Sequence, residues 1–100
     1  MNTVIITPSK NKLKKFDATS NGTTTISLGD KKYEDYTIHK DDVRQRLYII
    51  RHRKAERWDD PTTPGALSRW LLWNKTTLQS SVDDMNQRFR NYRFILRLNN

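Results

Sequence analysis

Cysteine is absent from the chain, so no disulfide can staple it and no thiolate can bind metal or attack a substrate. The absence fits a reducing compartment. Glycine and proline number three each, and the glycines stand apart at Gly22, Gly29 and Gly65, which leaves no glycine-rich phosphate loop. Apolar residues make up only 34%, and the mean hydropathy is -0.94. No apolar run approaches membrane-spanning length. The opening stretch from Met1 to Pro8 is too short, and lacks the leading charge, for a signal peptide. A protein that is not secreted and has no membrane span is expected.

What is present is positive charge. Nineteen Lys and Arg face eleven Asp and Glu, a net +8, and such a field draws in polyanions and speeds their encounter. Nucleic acid, an acidic protein surface and anionic lipid are the partner classes this admits. One hundred residues suit a single domain, 1–100, with 1–10 and 91–100 reading as arms or edge strands. Its core must be thin, held by leucines and by the aromatic 10%, because each ring buries more area than an aliphatic side chain.

Periodicity divides the chain into strands and then helices. Leu13–Ala18 and Thr23–Leu28 read as two strands around Thr19-Ser20-Asn21-Gly22, since Asn-Gly is a strong hairpin signal. Val4–Ile6 adds a third strand candidate. Tyr33–Lys40 reads as a connector without clear periodicity. Asp41 or Asp42 then caps a helix reaching about Lys54 or Ala55, with Val43, Leu47 and Ile50 at i, i+4 and i+7 as its buried stripe. Arg44 and Arg51 border that stripe on one side, Arg46 and Arg53 on the other.

Asp59–Gly65 breaks the helix. A short second helix over Ala66–Trp73 carries Leu67, Trp70 and Leu71 inward. Thr76 or Thr77 caps a third, whose Leu78, Val82, Met85 and Phe89 recur on one face. Tyr92–Leu98 looks strand-like, able to join the sheet or to lie in a groove on another molecule. The expected fold is α+β: a small antiparallel hairpin sheet, open to the C-terminal strand, packed against about three helices.

No constellation for catalysis emerges. His39 and His52 are the only histidines, too few and too far apart for a zinc site; Glu56, Asp59 and Asp60 are the nearest helpers, and structural histidines are the plainer reading. Ser68, Ser80 and Ser81 lie in helical stretches without a nucleophile elbow. The carboxylate pairs read as caps and solvated turns. No catalytic residue, metal ligand or cofactor is expected. The densest signal is cationic: Lys40, Arg44, Arg46, Arg51, Arg53, Lys54 and Arg57, joined by His52 when protonated. Along a helix such groups either meet phosphates and carboxylates or form a solvated, internally paired face. Trp58, Trp70 and Trp73 could stack on bases, though a chain this short of aliphatics needs those rings inside.

From Gly29 to Phe89 the chain resembles a family of small basic proteins of nucleocytoplasmic large DNA viruses, the chlorella-virus and mimivirus relatives. Gly29-Asp30, Tyr33-Glu34-Asp35-Tyr36-Thr37-Ile38-His39-Lys40-Asp41, Arg51-His52, Glu56-Arg57-Trp58 and the run from Gly65 through Trp70, Trp73 and Asn74 to Lys75 carry the likeness. Thr76 stands where the family has proline. The resemblance implies a viral protein but brings no activity with it. It suggests a virion structural or assembly protein, minor-capsid or cement-like, whose partners are capsid or other virion proteins. Its location would be the virion or the cytoplasm or nucleus of an infected cell. The alternative is a basic nucleic-acid-binding protein that packages or condenses DNA.

Overall fold

Asn21 and Gly22 take φ values of 51° and 72°, the left-handed backbone that a tight hairpin demands and that these two residues tolerate best. In the computed structural model, which describes residues 2–98, they join β2 (Lys14–Ser20) to β3 (Thr24–Asp30). Both strands begin one residue later and run two further than the sequence suggests. Leu13 therefore drops out of the sheet and stands exposed.

β1 (Asn2–Pro8) pairs antiparallel with β2, and β4 (Tyr92–Leu96) pairs parallel with β1. The order is β3-β2-β1-β4. The sheet is therefore mixed rather than wholly antiparallel, because the chain crosses one face as helices before β4 returns beside β1. Residues 2–8 form an interior strand, where an arm or edge strand was expected, and β4 is an edge strand. The outermost residues of the expected arms, Met1, Asn99 and Asn100, lie outside the described residues.

Alternation decides which face is covered. Val4, Ile6, Ala18, Leu28 and Phe94 share a parity through the registers Ile6↔Ala18, Phe16↔Leu28 and Val4↔Phe94, and all five are buried. The opposite parity carries Thr7, Asp17, Thr19, Thr25 and Ser27, a polar face where Ser9 and Ser27 donate hydrogen bonds to Asp17.

The covering layer comes from the C-terminal half. Thr63 caps α3 (Pro64–Leu67), which continues as a π-helical turn over Ser68–Leu72 and closes with the Trp73 amide donating to the Ser68 carbonyl. The wider turn lets neighbours Leu71 and Leu72 both enter the core. Thr77 caps α4 (Leu78–Arg88), burying Val82 and Met85. Leu67 and Leu71 are core residues as expected, while Trp70, Leu78 and Phe89 pack at its margin, partly buried.

The connector before the basic helix has structure of its own. Asp35 caps one turn, α1 (Tyr36–His39), and Lys40 ends it in the left-handed region at φ 54°. Asp41 accepts from the Val43 and Arg44 amides to start α2 (Asp42–His52). Here the sequence expectation fails. Val43, Leu47 and Ile50 are 58%, 49% and 56% exposed, not buried, whereas Tyr48 on the opposite side is only 8% exposed.

The reason is the partner that α2 meets. Trp73 presents a flat ring, and Tyr48 stacks on it at 4.3 Å with the planes 1° apart. The Gln45 amide donates to the carbonyls of Trp73 and Asn74 at 3.0 and 2.8 Å. A large aromatic and a bidentate amide hold this side, while the sheet has already been covered by α3, the π turn and α4. The aliphatic stripe is left facing out.

Candidate partner-binding surface

α2 divides into sectors. At about 100° per residue, Gln45, Tyr48 and His52 fall on the body side, Val43, Leu47 and Ile50 on the outer side. Arg44 and Arg51 form one border between them, and Arg46 and Arg53 the other. His52 stacks on the outer face of Tyr48 at 4.3 Å and bonds Glu56 through Nδ1 at 2.6 Å. Burial, with Glu56 close by, pushes the Tyr48 hydroxyl well above the usual tyrosine range. The ring stays neutral and serves as an anchor.

The seven cations of the sequence cluster separate by role. Lys40 is engaged within its own fold, its Nζ donating to the carbonyls of Thr37 and Thr76. Arg57 pairs with Asp59 at 3.2 Å, and Arg44 reaches Glu34 at 3.4 Å, both at exposed sites where such pairs hold weakly. Arg46, Arg51, Arg53 and Lys54 pair with no carboxylate among the described residues. Of the seven, these four are open to a partner, and so are Arg44 and Arg57 through their weak exposed pairs. The exposed aliphatics between them were assigned to the core from sequence. Their outward placement was not readable from spacing alone, but Tyr48, at i+3 from Gln45 and i−4 from His52, marks the competing face.

Beneath α2 a cleft of about 690 Å³ opens toward β3, with Lys15, Asp35, His52 and Glu56 in its walls. Its charges are largely matched. Lys15 binds Asp35 at 2.6 Å with both side chains nearly buried, and Glu56 accepts from His52 and from the Trp58 indole. Asp59 and Asp60 turn elsewhere, to Arg57 and Thr62. Among the described residues no three His, Cys, Asp or Glu side chains gather as a group able to hold a metal ion. Ser81 is fully buried and accepts from the Lys75 amide, a structural role. Trp58 and Trp70 flank the Arg69 guanidinium at 5.3 and 4.4 Å, and Trp73 stacks on Tyr48, so the tryptophans serve the fold. No helix among the described residues is long and apolar enough to cross a membrane.

Residues 4–52 match the model of a family of unknown function, DUF5754. The matched segment runs from β1 to the last residue of α2, so it contains most of the outward basic face. It ends before the Gly65–Lys75 run. No curated protein and no solved structure matches the chain.

Proposed function

We propose that this protein is a non-enzymatic docking and assembly protein that grips other macromolecules with the outer face of α2. The observation that carries this reading is the exposed Val43–Leu47–Ile50 stripe bordered by arginines. An apolar patch rimmed by charge is the usual mark of an interaction surface, and a surface serving only solubility has no use for three outward aliphatics. The likeness of Gly29–Phe89 to small basic proteins of large DNA viruses supplies the setting: a virion structural protein, minor-capsid or cement-like, seated on capsid or other virion proteins. Mass spectrometry of purified particles tests the setting, with residue-specific cross-linking from Gln45→Cys and Leu47→Cys variants to test the surface. Cross-links to a virion protein from position 47 but not from 45 are expected. Particles lacking the chain would overturn the setting.

The uncommitted Arg46, Arg51, Arg53 and Lys54 favour a second reading, binding of nucleic acid. Phosphate contacts by these side chains release counterions, so affinity for duplex DNA would fall linearly on a log–log plot against salt. The slope would shrink by about one per arginine replaced by glutamine. Absence of binding in low-salt buffer removes this alternative.

A further inference from the structure

The spacing of the exposed residues on α2 says more than that it is apolar. Val43, Leu47 and Ile50 stand four and then three residues apart, the d-a-d seam of a coiled-coil heptad rather than a broad amphipathic face. The positions that border such a seam, e and g, are then Arg44, Arg46, Arg51 and Arg53, arginine in every case. Of the remaining positions, Tyr48 stacks on Trp73 and Gln45 donates to its carbonyl, while His52 stacks on Tyr48 and bonds Glu56. α2 thus presents a narrow apolar seam whose bordering charges are all of one sign.

We infer that the partner of this face is an amphipathic helix of another protein, with aliphatic residues at its a and d positions and glutamate or aspartate at e and g. The inference rests on the reading of α2 as a docking surface and names what docks there. Charge at e and g selects the partner of a coiled coil. A second copy is rejected, because parallel or antiparallel pairing alike sets arginine against arginine. A seam of 11 helical residues is only about 16 Å long, so any single helix pairing on it is short. A bilayer is a poorer fit, since the apolar arc is narrow and carries no aromatic residue. In a major groove, three aliphatics would stand where base edges need polar readers. The pairing is weak for one copy and becomes firm where many copies line a surface, as avidity requires.

A labelled synthetic peptide of three heptads, leucine at a and d and glutamate at e and g, is titrated with the full chain by fluorescence anisotropy. The probe's own like charges keep it from pairing with itself. Saturable binding in the micromolar range is expected, at least about tenfold weaker (1.4 kcal/mol) for Leu47→Ser. A variant with Arg44→Glu, Arg46→Glu, Arg51→Glu and Arg53→Glu should lose this peptide and gain the version with lysine at e and g; circular dichroism verifies that each variant is folded. Equal binding of a scrambled peptide of the same composition, indifference to Leu47→Ser, or charge reversal without a switch of partner overturns the inference. Phosphatidylserine vesicles and a 20-base-pair duplex form parallel arms. If either binds through Leu47 or the arginines and the peptide does not, the helix partner is wrong and the docking surface stands. If none of the three binds, both fall.

Discussion

Gly29 shows why one atom can matter. Its φ is +78°, and a Cβ there would stand 2.8 Å from Cδ1 of Leu72 and 3.2 Å from Lys15. Gly29→Ala therefore meets backbone strain and a clash at the seam where β3 receives the π turn, and should destabilise by about 1–3 kcal/mol. Gly22, also at positive φ, has nothing within 4 Å, so Gly22→Ala should incur only the left-handed strain, about 1 kcal/mol. Urea unfolding of the two variants measures the difference. The Asn21-Gly22 turn was legible because it is local. The need for glycine at position 29 was not, because its neighbour Leu72 arrives from far along the chain.

Asp17 sets a pH dependence at the same scale. Burial opposes its charge, but the hydroxyls of Ser9 and Ser27 and the Lys10 amide more than compensate, leaving its carboxyl below the ordinary range. Asp84 is likewise low: burial opposes it, and Asn74 and Arg88 outweigh the burial. Groups depressed in the folded state contribute stability that is full above the unfolded pKa and disappears as pH falls through the folded one. Stability should thus be flat above about pH 5 on this account and decline below the unfolded carboxyl value of about 4. Asp17→Asn should flatten part of that decline. A thermal melting series from pH 6 to pH 2 decides it, and an unchanged acid slope in Asp17→Asn would contradict the assignment.

At the level of elements, α2 reverses the rule that the aliphatic face is the buried one. Val43→Ser, Leu47→Ser and Ile50→Ser should each change stability by no more than about 0.5 kcal/mol. Leu71→Ala, from the core, should cost about 2–5 kcal/mol. Tyr48→Ala should release α2 from Trp73 and cost on the order of 3 kcal/mol. The existence and start of α2 were legible in the Asp41 cap and the i, i+4, i+7 pattern. Its orientation was not, because periodicity reports that a helix has two faces without saying which one finds a partner. Tyr48 carries a ring, Gln45 reaches two carbonyls, and together they outcompete three aliphatics for a body whose sheet is already covered. The third helix shows the ordinary case, with Val82 and Met85 inside as their spacing requires. Its Asn86 adds something no pattern reveals: the side chain accepts from the Phe94 amide at 2.7 Å and donates to its carbonyl at 3.0 Å. It occupies the place of a next strand and shields the β4 edge from further pairing.

For the molecule as a whole, the topology ties the two halves of the chain into one cooperative unit. β1, β2 and β3 supply one wall of the core, but the other wall comes from Leu67, Leu71, Leu72, Val82 and Met85, and Phe94 extends the sheet itself. The α+β character was readable from strands preceding helices, and a joining C-terminal strand was open from the alternation of Phe94, Leu96 and Leu98. The parallel sense of β4 was hidden, since it depends on where the crossover lets the chain return. The segment matched by the family model, 4–52, therefore ends inside the domain. Cut there, Val4, Ile6, Ala18 and Leu28 would face water on an unsupported three-stranded sheet, and α2 would lose Trp73, the ring that holds it. A fragment of residues 1–57 should accordingly show no cooperative thermal transition and poor amide dispersion in its proton–nitrogen spectrum. Adding residues 58–98 as a separate chain should restore both by complementation, because the missing wall and the missing strand arrive together.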